Sequence, residues 1–257
     1  MAHVIAVANQ KGGVAKTTTV ASLGVALHEL GRRVLLVDLD PQACLTFSLG
    51  VDPDTLPVSA HEVLLGELPV DEAIVTTSDG PSLLPATIDL ATTESLLLTR
   101  TGREYALRLA LAELPSVEDG GFQHILIDCP PSLGVLTVNG LTAATELLIP
   151  LQCETLSHRG VGQLLNTVKD IQRITNPGLQ VLGVLPTMYD ARTLHARDVL
   201  DDVTDRYALP VLDPPIGRSV RFAEAPAAGR SVLATASRTK GAQAYREHAE
   251  FLAARAG

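Results

Sequence analysis

Short apolar runs alternate along the chain with longer stretches in which apolar residues return every three or four positions. Val4 to Ala8 reads as a strand, as do Val34 to Val37, Ile125 to Ile127, Leu147 to Ile149 and Val181 to Leu185, with Pro210-Val211-Leu212 a shorter one. Runs without polar alternation are typical of strands covered on both faces. Between them, Val20, Leu23, Leu27 and Leu30 share one helical face that Gly31 ends. Val161, Leu164, Leu165, Val168 and Ile171 form another such face, and Ala242, Tyr245, Ala249 and Leu252 a third. The alternation predicts βαβ crossovers and so an α/β fold, a doubly wound, mainly parallel sheet with helices on both faces. Residues 52–94 are less regular and rich in Pro, Thr and Ser; one short helix is expected there, near His61 to Leu65. No linker-like composition divides residues 1–257, so a single domain is expected.

Candidate chemistry concentrates where the first strand meets the first helix. Lys11-Gly12-Gly13-Val14-Ala15-Lys16-Thr17-Thr18 occupies that junction, where backbone N–H groups and the helix N-terminus favour a phosphate. Gly12 and Gly13 permit close backbone approach, Lys16 can reach β- and γ-phosphates, and the Thr17 hydroxyl can join a Mg²⁺ shell. The pattern G-x-x-x-x-G-K-[ST] fails, since Gln10 and Ala15 stand where its glycines belong; the chain matches K-G-G-x-x-K-[ST] instead. In a face-to-face dimer the forward lysine, Lys11, can cross to the partner's phosphates, as an arginine finger does in trans. Asp38 and Asp40 close the second strand and point to the same side. Asp40 is the candidate for orienting the attacking water and Asp38 for the metal's outer shell. Asp128 ends another apolar strand and suits a metal-associated carboxylate at the carboxyl edge of the sheet.

Composition narrows the classes. With 20 basic and 29 acidic side chains the formal charge is −9, which argues against an all-over polycationic coat but not against a local patch. Four phenylalanines, four tyrosines and no tryptophan leave little for a single-strand stacking platform. Cys44, Cys129 and Cys153 lie far apart without a C-x-x-C pair, so neither a disulfide framework nor a zinc cluster is expected. No targeting signal or spanning run is evident, and a soluble cytoplasmic protein is expected.

Longer stretches resemble the ParA/Soj ATPases, of the ParA/MinD family of deviant Walker-A P-loop NTPases. The resemblance is carried by residues 8–14 (ANQKGGV), 36–42 (LVDLDPQ), 128–134 (DCPPSLG), 150–154 (PLQCE), 164–167 (LLNT), 187–190 (TMYD) and 220–226 (VRFAEAP). It implies a homodimer formed on ATP and Mg²⁺ binding that holds nonspecific double-stranded DNA, associates with the nucleoid, and serves chromosome or plasmid partition. It also implies slow intrinsic hydrolysis and a ParB-like partner that stimulates it. By the same resemblance Lys11 is the signature lysine, Lys16 the loop lysine, Thr17 the Mg-ligand hydroxyl, Asp40 the hydrolytic aspartate and Asp128 the metal-associated acid. The adenine is implied near Met188 and near Pro214 to Val220. The chain departs from the family pattern at Ala15, for a glycine, at Gly217, for a proline, and at His158-Arg159.

Residues 1–185 hold 10 basic and 20 acidic side chains, residues 186–257 hold 10 and 9. A DNA face is therefore expected in the last third, with Arg192, Arg218, Arg221, Arg238, Lys240 and Arg246 as candidates whose pooled phosphate contacts make binding salt-sensitive. A MinD-like membrane-associated regulator is the alternative, but the small-residue stripe on the last helix, with Glu247 and Glu250 beside it, favours docking on the protein over a membrane. An amidating synthetase on the same fold is a further alternative, for which no additional nucleophile or substrate motif is found. A cluster shared between subunits has no ligand pattern at the three cysteines.

Overall fold

The computed structural model describes residues 2–153, 157–190 and 192–255. Glu154 and the side chains of His158 and Arg159 lie outside the described residues. The strands are β1 (His3–Val7), β2 (Val34–Asp38), β3 (Val75–Thr76), β4 (Ser82–Leu84), β5 (His124–Asp128), β6 (Glu146–Gln152) and β7 (Gln180–Thr187). The helices are α1 (Lys16–Glu29), α2 (Cys44–Ser48), α3 (Ala60–Leu64), α4 (Val70–Ala73), α5 (Leu90–Leu97), α6 (Ala106–Ala112), α7 (Val135–Ala143), α8 (Ser157–Ile174), α9 (Leu194–Tyr207), α10 (Arg221–Glu224), α11 (Val232–Thr235) and α12 (Lys240–Arg255).

The strands form a seven-stranded sheet in the order β3-β4-β2-β5-β1-β6-β7, parallel except for β3. Side chains alternate across it. Ala6, Leu35, Val37, Ile125 and Ile127 pack into one core, beneath α3 and α5 to α8. Ile5, Val7, Leu36 and Leu126 pack into the other, beneath α1, α11 and α12. The doubly wound α/β architecture expected from the apolar runs is the one found. Asp38 and Asp128 fall in register on neighbouring strands, on the α1 face, and both end at the sheet's carboxyl edge.

One expectation changes, and two stretches gain detail. Pro210-Val211-Leu212 is not a strand but one bridge, Val184 to Val211. Pro210, Pro214 and Pro215 carry no N–H and cannot extend a ladder, and Gly183, at φ +148°, lets the Pro210 carbonyl come within 2.7 Å of where a Cβ would sit. The irregular stretch holds the expected short helix, started by a Ser59/Glu62 capping box, but also α4, the β3–β4 hairpin and the start of α5. Helix α7 gave no periodic signal because its sequence, VLTVNGLTA, is apolar nearly all round.

Candidate active site

Past β1 the chain crosses the carboxyl edge of the sheet under tight restraint. Asn9 is buried; its amide donates to the Pro150 carbonyl at 2.7 Å and its Oδ1 accepts the Lys11 N–H at 3.0 Å. Val14 is buried below the loop, where its carbonyl accepts the Thr187 hydroxyl at 3.1 Å. Gly13 and Ala15 both adopt left-handed backbone, at φ +73° and +67°. For the alanine this crowds Cβ against the following carbonyl at about 1–2 kcal/mol. Helix α1 begins with no side-chain cap and no acid in its first turn, which leaves its leading N–H groups without a side-chain acceptor of their own.

The loop faces a cleft of about 690 Å³, a volume suited to a small ligand. Gly12, Gly13, Ala15, Lys16, Thr17 and Thr18 form its floor; Asp40, Gln42, Cys44, Phe47 and Ser48 form one wall. The other wall is Thr187, Met188, Ile216, Gly217, Arg218, Ser219, Phe222, Ala223, Pro226 and Tyr245. Met188 and Gly217, expected from the resemblance to lie near the adenine, both line this wall. Pro214 lies behind that wall, its carbonyl accepting His248 of α12 at 2.8 Å. Lys11 is half-buried beside the lining, its carbonyl accepting the Lys16 ammonium at 3.4 Å. Phe47 carried no sequence signal, and Tyr245 showed only as part of a helical apolar face, because packing of distant segments brings them to the cleft. Tyr245 is fully buried, donates or accepts a hydroxyl bond with Thr19 of α1 at 3.1 Å, and meets the Phe222 ring edge-on.

The charged groups beneath the loop differ in how they are satisfied. Asp38 is fully buried with both oxygens engaged. One accepts the Asp40 N–H at 3.1 Å, and the other accepts the Thr46 N–H at 2.9 Å and hydroxyl at 2.8 Å. Burial pushes its carboxyl up to about 6, against the pull of those donors. These bonds make Asp38 an anchor that fastens the start of α2 to the sheet edge, beside the outer-shell metal role expected from the sequence. Asp128 is the opposite case. It is 1% exposed and neither carboxylate oxygen has a hydrogen-bond partner. Burial and Asp38 push its carboxyl well above the usual range, while Thr17 and Lys16 pull it down. Burial also lowers the Lys16 ammonium, which Asp128 and Asp40 hold up. Asp40 lines the cleft and accepts the Gln42 N–H at 3.0 Å.

An orphaned carboxylate facing a threonine hydroxyl and a lysine fits an oxygen-ligated divalent cation. Among the described residues no three His, Cys, Asp or Glu side chains gather as a metal cage. Magnesium needs none, since it keeps waters and phosphate oxygens beside one or two protein ligands.

The six basic candidates differ in how their charge is met. Arg192 is bidentate to Asp190 at 2.9 and 2.8 Å, and Arg218 lines the cleft mouth and acts electrostatically on the same Asp190. Arg221 pairs with Glu224 at 2.7 Å. Arg246 pairs with Glu29 of α1 at 2.6 and 3.0 Å and also donates to the Ser237 carbonyl. Arg238 and Lys240 are exposed at the start of α12 without an ion-pair partner among the described residues.

The family profile described as an AAA domain matches residues 2–181. The chromosome partitioning protein ParA of Caulobacter vibrioides is 43% identical over 244 residues, 95% of this chain and 91% of that protein. The sporulation initiation inhibitor protein Soj of Bacillus subtilis is 41% identical over 255 residues, 99% of each. Among solved structures, one described as cobyrinic acid a,c-diamide synthase from Mycobacterium smegmatis, with bound ADP and magnesium, superposes with a TM-score of 0.86 at 63% identity, covering 98% of this chain and 94% of that one.

Proposed function

Since the chain belongs to the ParA/MinD family of P-loop ATPases, we propose that it is a partition ATPase that dimerises on ATP, holds nonspecific DNA in that state and lets go on hydrolysis. The observation that carries this reading is the uncapped, glycine-containing loop over a cleft that also collects Lys16, Thr17 and Asp40, with the unsatisfied Asp128 buried close to Lys16 and Thr17.

In this reading the leading N–H groups of α1 hold the phosphates, and Gly12 and Gly13, next to open space, let the backbone lie against them. Lys16, whose ammonium burial disfavours and Asp128 and Asp40 favour, neutralises charge at the β- and γ-phosphates. Thr17 and Asp128 would hold Mg²⁺, Thr17 by its hydroxyl and Asp128 through its unpaired oxygens. When bound, the ion offsets charge on the phosphate oxygens. Asp40, restrained by Gln42, orients the attacking water, and Lys11 reaches the partner's phosphates. Catalysis is then positioning and charge stabilisation, and turnover is slow until a ParB-like partner supplies what the resting geometry lacks. Arg238 and Lys240 are the first DNA contacts to test, because their charge is not already met by a carboxylate; a cytoplasmic, nucleoid-associated protein follows.

Two other readings have an observation behind them. MinD-like membrane association would need α12 free to lie on lipid, but Ala242, Tyr245, Ala249 and Leu252 are buried on the protein's own core. No helix among the described residues is long and apolar enough to cross a membrane. The name of the M. smegmatis structure raises amide synthesis. Drawing nitrogen from a glutamine side chain calls for an activated nucleophile such as a thiolate. Here burial raises all three thiols, Cys129 furthest and Cys153 to about 11.

DNA binding measured with ADP, ATP and a non-hydrolysable analogue across a salt series tests the proposal. Retention only with the triphosphates, falling steeply with salt, is expected, and Lys16→Ala should abolish it. Retention independent of nucleotide, or ATP turnover that requires glutamine or ammonia with an organic acid, would overturn it.

A further inference from the structure

The two walls of the cleft come from distant parts of the chain, and they meet at a close backbone crossing. One wall is α2, which ends at Ser48 and turns at Gly50; the other is drawn largely from the first part, residues 216–226, of the segment 216–231. Gly50 and Gly229 pass each other at backbone contact. A Cβ on Gly50 would lie 2.9 Å from the Gly229 carbonyl oxygen, and one on Gly229 would lie 2.9 Å from the Gly50 Cα. Both have positive φ, +82° and +60°, so glycine is required twice over.

Against this junction sits Asp79, in the turn between β3 and β4. Its side chain is 1% exposed. One carboxylate oxygen accepts Nε of Arg230 and the other accepts the Ser231 N–H at 2.5 Å. The turn is itself held against α1, since a Cβ on Gly80 would fall 2.3 Å from the His28 ring. Upstream of Arg230, the segment 216–231 has its own hold: the Phe222 ring lies edge-on to Tyr245, and so close to Gly241 that a Cβ there would lie 2.5 Å away. Between these two holds lie Phe222, Ala223 and Pro226, all lining the cleft, whereas Asp79 lines none of it.

We infer that Asp79 is a positioning residue for nucleotide binding, fixing the far end of segment 216–231 so that its wall closes on the bound nucleotide. The inference rests on the nucleotide reading of the cleft. Without the carboxylate, Arg230, already partly exposed, turns to solvent. The segment then keeps its backbone pairing at Ile216, its aromatic packing and the Gly50 contact, but loses the ionic clamp on its far end, and its wall loosens there. Lys11, Lys16 and Asp40 are untouched, so the loss falls on binding rather than on the chemical step.

The test is nucleotide affinity, with a fluorescent ADP and a non-hydrolysable ATP analogue, and steady-state ATPase, in the full chain. Asp79→Ala should weaken affinity about three- to tenfold and raise KM to match, with kcat at saturating ATP within about twofold of the parent. Arg230→Ala should shift affinity in the same direction, and the double variant should be no weaker than Asp79→Ala, because the two groups act as one pair. Unchanged affinity in Asp79→Ala overturns the inference, as does an equal fall in kcat. If Asp79→Ala does not fold, Arg230→Ala, which removes the exposed partner, decides by the same readout. A parent protein that binds neither nucleotide would defeat the proposed function itself, whereas a parent that binds and a variant that binds equally well would defeat only the role of Asp79.

Discussion

Thr46 holds more of the cleft wall than a small polar residue usually does, and Thr46→Val measures how much. Its hydroxyl donates to Asp38 at 2.8 Å and accepts the Ala86 N–H at 2.9 Å, and all of this is buried. Valine keeps the shape and removes both bonds. The Ala86 N–H is left unsatisfied, at about 1–3 kcal/mol, and the buried Asp38 carboxylate loses a donor worth about another 1–2 kcal/mol. Allowing for overlap, the expected loss is about 3 kcal/mol, which in a chain of 257 residues lowers Tm by about 6–12 °C. Thr46→Ser retains the hydroxyl and should lie within about 1 kcal/mol of the parent. Because Thr46 and Asp38 seat α2 beside Asp40, ATP hydrolysis should fall more in the valine variant than nucleotide binding does. Urea titration with thermal melts, on all three proteins at neutral pH, makes the comparison. A valine variant as stable as the serine variant would refute the claim that this network holds α2.

Two further outcomes follow. Ala15→Gly relieves left-handed strain of about 1–2 kcal/mol against about 0.4–1 kcal/mol of added unfolded-state entropy, so a small rise in Tm is expected and a fall would count against the loop geometry. His124 is buried with neither ring nitrogen bonded, and burial, with His3 and Arg32 nearby, pushes its pKa down to about 4. Between its unfolded value near 6.5 and about 4 the unfolded chain takes up a proton that the folded protein refuses, so stability is full above that window and is lost as pH falls through it. At pH 5 this amounts to about 2 kcal/mol. In His124→Phe the urea midpoint should depend less on pH between 8 and 5 than in the parent; an identical pH dependence would rule out His124 as the source.

Much of the molecule was legible from residue order because the relevant signals are local. The phosphate loop is contiguous, its strand–helix setting shows in the flanking apolar runs, and the parallel sheet follows from strands with no polar face. The α12 stripe was read correctly as a docking face, with Ala242, Ala249 and Leu252 against the core. What stayed hidden was set by distance in the chain. That Asp38 also anchors Thr46 depends on where α2 begins, which no spacing reveals. The walls that Phe47, Phe222 and Tyr245 supply exist only once segments far apart have packed. The pairing of Arg246 with Glu29, across the α1–α12 seam, could not be seen from a local count of charge.

The contact between Thr19 and Tyr245 has a consequence for synthesis. A chain growing from its amino end makes the phosphate loop well before the tyrosine that backs the first helix, which follows Thr19 by 226 residues. Until then the loop lies beside an exposed apolar groove, so a stalled or truncated product carries the signature motif but neither the cleft nor its grip. Competence for ligand is thereby reserved for a chain synthesised past Tyr245, and shorter products leave apolar surface open to chaperones and proteases.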